Sequence, residues 1–144
     1  MSSGADPYRN FNFRVEIDAV TVAAFSEVSG LTAETAVVEY RSGEMLGGTR
    51  KLAGLTKYTN VTLKRGMTQN LELWNWYRNV VEGKTDRRSA SIVLLNEAHQ
   101  EVLRWNIVKA WPCKWEGPAL NARHNEVAIE TLELAHEGLE LVAA

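Results

Sequence analysis

The chain has 144 residues, of which 45% are hydrophobic and 24% charged, with a formal net charge of −2. That length fits one domain able to bury its own core, and a slightly acidic balance argues against nucleic-acid binding through bulk charge. The single cysteine, Cys113, excludes an intrachain disulfide, and no apolar run approaches the roughly 20 residues of a membrane helix.

Residues 1–9 are small and polar and read as a flexible or docking arm, without the apolar centre of a secretory signal. Phe11, Phe13, Val15 and Ile17 then alternate with Asn12, Arg14, Glu16 and Asp18, a period of two that predicts a strand. A turn at Asp18-Ala19 leads to a second apolar segment, Val20 to Val28, which Ser29-Gly30 breaks. A strand rich in Thr and Val is expected from Leu31 or Thr32 to Arg41.

Tyr40 to Gly66 reads as a long hairpin, with a return arm over Lys57 to Arg65. Its centre holds Gly43, Gly47, Gly48 and Gly54 around Arg50 and Lys51. So many glycines disfavour a compact loop without a partner. The segment is too long and polar for one small core, and it suits gripping a neighbour.

A helix is predicted over 70–82, with Asn70 as its cap and Gly83 as its stop. Leu73, Trp74, Trp76, Tyr77, Val80 and Val81 fall on one arc, so the helix should lie flat on a sheet. Lys84 to Arg88 is a polar connector, Ala90 to Leu95 a buried strand and Asn96 to Gln100 a turn. In the strand that follows, Leu103, Trp105, Ile107, Trp111, Cys113 and Trp115 share one parity; Lys109 interrupts, and Pro112 implies an edge or bulge. Gly117-Pro118 ends it, and Ala119 to His124 is a loop. Val127 to Leu134 reads as a strand whose change of parity calls for a bulge near Thr131. A helix aligning Ile129, Leu132, His136 and Leu139 is the alternative. About seven strands and one helix make a mainly β, α+β domain: a small antiparallel barrel or sandwich with one flanking helix and a protruding hairpin over about 40–66.

Residues with catalytic chemistry are sparse. His99, His124 and His136 lack a second ligand at metal-site spacing and read as solvated. Cys113, beside Pro112 and near Trp115, reads as a core or interface thiol. Glu130, Glu133, Glu137 and Glu140 read as a solvated face, or as the lining of a channel. Lys51, Lys57, Lys64 and Arg65 around Tyr58 could meet phosphates, but Glu39 and Glu44 lie nearby, and intersubunit ion pairs fit equally. Trp105, Trp111 and Trp115 suggest either sheet core or a ligand-stacking row. Nucleophile-elbow, phosphate-loop and dinucleotide motifs are absent. No cofactor, metal or catalytic group is implied, and an assembly protein fits better than an enzyme.

The order FNFRVEID, VAAFSEVSGL, YRSG, RKLAGLTKYTNVTLKRG, LELWNWYRNVV and IVKAWPCKWEGPALNA, spanning nearly the whole chain, resembles the tail-tube proteins of contractile injection particles. That family includes the tubes of T-even-like phage tails, phage-tail-like bacteriocins and extracellular contractile injection systems, with the haemolysin-coregulated protein of type VI secretion as a more distant relative in fold. Ala19 stands where a turn glycine is common, and Ala53 where many relatives have proline. The resemblance implies hexameric rings stacked into a hollow tube inside a contractile sheath, assembled in the bacterial cytoplasm. Its partners would be other copies of itself, sheath subunits, baseplate and tube-initiator proteins, a tube terminator and protein cargo in the lumen, with no membrane and no specific nucleic acid. A baseplate initiator paralogue and a monomeric ligand-binding barrel remain as alternatives. Ring stacking would fall to Arg41, Gly43, Glu44, Gly47, Gly48, Arg50, Lys51, Leu52, Lys57 and Tyr58.

Overall fold

The chain folds around a core that lies between the two halves of one bent sheet. A computed structural model describes residues 12–22, 25–41, 43 and 47–144; Phe11, Glu44 and the expected arm over 1–9 lie outside the described residues. The elements are β1 (Phe13–Ile17), β2 (Val20–Val22), β3 (Phe25–Ser29), β4 (Ala33–Tyr40), β5 (Arg50–Tyr58), β6 (Val61–Gly66), α1 (Glu72–Val81), β7 (Arg88–Leu95), β8 (Glu101–Glu116), β9 (Ile129–Ala135) and β10 (Gly138–Ala143). This is the expected mainly β architecture with one helix, but with more strands than expected.

All pairing is antiparallel. The main sheet runs β2-β1-β7-β8-β9-β6-β3, with β10 on the first half of β8, while β4 and β5 pair only with each other. The 16-residue β8 is the spine. Its first half pairs with β7 and β10 and its second half with β9. The bend between the halves lies at Lys109, a non-glycine residue with φ of 51°. The bend reverses which parity faces inward. Ile107 is buried before it, and Ala110 and Pro112 after it. A further register shift between Pro112 and Lys114 returns Trp115 to the core side. The single-parity row expected along this strand is therefore divided between two faces.

Between the two halves of the bent sheet lie Val15, Ile17, Ala90, Ile92 and Ile107 on one side and Val61, Leu63, Leu132 and Leu134 on the other. Burying each such side chain is worth about 1.5–3 kcal/mol. Leu73 and Trp76 of α1 complete this core. The indole of Trp76 donates to the Asp86 carbonyl at 2.7 Å, and the Arg88 guanidinium lies 4.9 Å from its ring centre. The exposed arc of α1 is wider than the wheel suggests, since Val81 is exposed and Trp74 packs edge-on against Trp115 at 4.9 Å. Asn70 Oδ1 accepts the Glu72 amide at 3.0 Å, although Leu71 occupies the cap position itself. Gly83 ends the helix at φ 89°, with the Lys84 amide donating to the Asn79 carbonyl.

Three expectations are corrected. The return arm over Lys57 to Arg65 is two strands, not one. β5 belongs to the hairpin, β6 belongs to the core, and the hairpin proper is Ala33 to Tyr58 rather than 40–66. Gly54 accordingly sits inside β5, not in the loop. Second, β9 pairs without a break at Thr131. Glu130, Leu132 and Leu134 simply face inward, so the apparent change of parity came from placing Val127 and Ile129 on the core side. Third, Glu130 is not solvated. It is 3% exposed and ion-paired to Arg65, itself 4% exposed.

Candidate assembly interface

Among the described residues the hairpin strands β4 and β5 form a sheet of their own, exposed along nearly all their length. Every residue of β4 is exposed, and β5 is exposed except at Gly54 and Tyr58. The register runs Ala33↔Tyr58, Glu34↔Lys57 and Thr35↔Thr56, then Val37↔Ala53, Val38↔Leu52, Glu39↔Lys51 and Tyr40↔Arg50. Two residues of β5, Gly54 and Leu55, therefore face one of β4, Ala36, in a bulge that sharpens the local twist.

Strand alternation gives the hairpin two different faces. One carries Tyr58, Val37, Glu39, Lys51 and the Thr35–Thr56 hydroxyl pair, which are 2.9 Å apart. The other carries Val38, Leu52, Tyr40 and Leu55, which are 50%, 46%, 53% and 79% exposed. Gly54 lies on this second face, because a Cβ there would meet Val38 Cγ2 at 3.0 Å and Ala36 Cβ at 3.3 Å.

The base of the hairpin is fixed by polar contacts. Gly30 (φ 89°) passes so close to the Asn60 carbonyl that a Cβ would lie 2.1 Å from its oxygen. Thr59 Oγ1 donates to the Gly30 carbonyl at 2.8 Å, and the Thr59 amide donates to Thr32. His136, at the joint between β9 and β10, sets Nε2 2.7 Å from the Thr59 carbonyl and Nδ1 3.0 Å from the Gly138 carbonyl. Its ring packs against Tyr58 at 5.8 Å. His136 is thus a structural clamp between hairpin and barrel, not the solvated histidine expected. Tyr58 also shows which hairpin face turns toward the body at the base: the one opposite Val38 and Leu55.

Of the expected stacking residues, Arg41, Gly43, Gly47 and Gly48 lie in the exposed tip, and Arg50, Lys51, Leu52, Lys57 and Tyr58 lie on β5. Glu44 lies outside the described residues. Val38, Tyr40 and Leu55 were missed; alternation in β4 signals the first two, but the bulge hid the third.

In the body, Arg14, Lys64, Arg65, Arg78, Arg88, Arg104, Lys109 and Lys114 form ion pairs, while Lys84, Arg87 and Arg123 form none among the described residues. In the hairpin, Arg41, Arg50, Lys51 and Lys57 form none among the described residues.

On the outer face of β1, β7 and β8 a closed ring of ion pairs joins Arg14, Glu16, Arg104 and Glu101. Hydrogen bonds from Arg104 above all hold the carboxyls of Glu16 and Glu101 below the usual carboxylate range, and these partners push Arg104 up. The ring roofs Val93, which pairs with Arg14 and Arg104 and is 0% exposed.

The other candidate chemistry disperses. Trp105 and Trp115 pack on the core while Trp111 does not, so the three form no stacking row. Burial, then the neighbouring Glu133, pushes the Cys113 thiol up, away from the reactive thiolate. Among the described residues no group of three His, Cys, Asp or Glu is placed to hold a metal, and no helix is long and apolar enough to cross a membrane.

The chain is thus a mainly β protein with one short helix, a large bent antiparallel sheet and an exposed β4–β5 hairpin. Residues 9–140 match the model of the T4-like virus tail tube protein gp19 family, and the chain belongs to that family. The family is structural and non-enzymatic. Among solved structures, the chain is similar to one in the PVC sheath-tube complex of an extracellular contractile injection system in its extended state. The identity is 26%, covering 98% of this chain and 95% of that one, with a TM-score of 0.88. It is equally similar to a chain in the tube-terminating cap of the anti-feeding prophage, at 25% identity, 100% and 96% coverage and a TM-score of 0.88. Hcp1 from Flavobacterium johnsoniae shares the fold at 10% identity, 92% and 95% coverage and a TM-score of 0.58. No curated protein sequence matches the chain.

Proposed function

We propose that this tail tube protein is the main tube subunit of a phage-tail-like contractile injection particle. It assembles as hexameric rings that stack into a hollow tube inside a contractile sheath, starting from a baseplate and carrying protein cargo in the lumen. The observation that carries this reading is the hairpin, which among the described residues forms a separate two-stranded sheet. A head-to-tail contact of this kind does not close on itself and so builds a filament.

Within a ring, free strand edges suit side-by-side contact. β2 and β10 are the outer strands of the half-sheet β2-β1-β7-β8-β10, and each has one edge without a partner. Between rings, the tip and β5 residues Arg41, Gly43, Glu44, Gly47, Gly48, Arg50, Lys51, Leu52, Lys57 and Tyr58 form the clasp. The similarity to a chain of a sheath-tube complex supports a tube role inside a sheath. Similarity to a chain of an anti-feeding prophage baseplate, at 25% identity and a TM-score of 0.77, keeps a tube initiator as the second reading.

Negative-stain microscopy of the purified protein, with and without baseplate, separates the two: a main subunit extends into tubes and an initiator stops at one ring. Arg50→Glu should leave the subunit folded by circular dichroism and yield rings without tubes. Normal-length tubes from that variant would remove Arg50 from the clasp.

A further inference from the structure

The hairpin reaches outward with two chemically different faces, and only one is suited to being covered. Val38, Leu52, Tyr40 and Leu55 are four large apolar side chains in a continuous stripe, each 46% exposed or more. Glu34 and Lys57 pair across the strands at the base end of that stripe, and Arg50 lies opposite Tyr40 at the tip end. Gly54 lets Val38 and Ala36 close over the middle of the stripe, since a Cβ there would meet Val38 Cγ2 at 3.0 Å. At the base, the hairpin turns its other face toward its own body through Tyr58 and His136. The apolar stripe therefore faces away from the Tyr58–His136 contact with the same chain. An uncovered apolar stripe on a strand pair with two free edges is an aggregation hazard unless a specific partner covers it.

Charge identifies the partner. Residues 33–58 hold four Lys or Arg against three Glu, whereas the rest of the chain holds twelve against fifteen Asp or Glu. The hairpin is net cationic, its four cations are unpaired among the described residues, and the body is net acidic. A second copy of this chain supplies the complementary charge.

We infer that the Val38–Leu52–Tyr40–Leu55 face of the hairpin packs on the acidic body of a neighbouring copy. This rests on the stacking reading above and adds which face makes the contact. Arg50 and Lys57, on the same face as the stripe, flank it and take carboxylates of the neighbour. The opposite face, with Val37 and the Thr35–Thr56 pair, remains in solvent or against its own body.

The test compares the same chemical change on the two faces. Val37 is 64% exposed, more than Val38 at 50%, so substitution at either costs the free subunit little. Val38→Ser and Leu55→Ser should each raise the protein concentration needed for tube growth by tenfold or more, read by light scattering and microscopy. Val37→Ser should change it less than twofold. Circular dichroism of all three free subunits should match the parent. Equal effects at Val37 and Val38, or a larger one at Val37, would overturn the face assignment while leaving stacking intact. A parent protein that forms no tubes on a baseplate would overturn the stacking reading, and this inference with it.

Discussion

Glu130 is the residue whose role the sequence concealed most completely. In a segment with four glutamates it reads as one more solvated carboxylate, yet it lies inside the barrel with Arg65 Nε 2.5 Å from Oε1 and the Trp115 indole donating to Oε2 at 3.2 Å. Arg65 in turn donates to Glu72 and to the Asn70 carbonyl, and its guanidinium lies 5.6 Å from the Phe25 ring centre. One buried pair thus joins β3, β6, β8, β9 and the start of α1. Composition could not separate Glu130 from Glu133, because only three-dimensional packing determines which glutamate meets an arginine. Removing one partner leaves the other charge buried and unpaired, a cost of about 3–5 kcal/mol. Glu130→Gln should therefore lower the unfolding free energy of the unassembled subunit, read by urea titration, by about 3–5 kcal/mol or just below. The double change Arg65→Met with Glu130→Leu removes both charges and should recover most of the loss. Equal destabilisation by the single and double variants would show that the pair is not the source.

At the scale of elements, the strands with plain period-two patterns were legible and those that bend were not. β1, the Asp18-Ala19 turn, α1 and the 96–100 turn stand where periodicity and turn chemistry put them, because each is decided by neighbours a few residues away. β8 was read as a single face because periodicity assumes a continuous strand, whereas Lys109 turns into the left-handed region and exchanges the faces. β10 went unread since its order comes from pairing with β8, over thirty residues earlier. The bend matters because it lets one strand serve both halves of the sheet. A lysine held there costs about 1–3 kcal/mol relative to a residue at ease with positive φ. Its exposed contact with Glu137 at 3.6 Å returns little of that. Lys109→Gly should hold or raise the thermal midpoint of the free subunit, while the β-branched Lys109→Val should lower it. The opposite order in calorimetry would mean that the Lys109 side chain, rather than its backbone, sets the bend.

For the whole molecule, the proposed tube role raises the question of how a subunit with an exposed hairpin would stay unassembled until a baseplate starts the tube. The glycine-rich centre disfavours a compact loop without a partner, yet β5 begins at Arg50 and pairs with β4 back to Tyr58. Even so, an isolated two-stranded hairpin is marginal in water, and this one is clamped only at its base by His136, Gly30 and Thr59. Fixing each residue that frays costs roughly 1–2 kcal/mol, so a hairpin that opens along its length opposes spontaneous stacking, and a ring already in place offsets that cost by presenting a surface. Hydrogen exchange tests this directly. In the free subunit, amides of β4 and β5 should exchange far faster than those of β6, β8 and β9, with the residues nearest the tip fastest and those beside Thr59 slowest. In assembled tubes the whole hairpin should become protected. Strong protection of β4 and β5 before assembly would show the clasp to be preformed, and the barrier to nucleation would then have to lie in ring closure rather than in the hairpin.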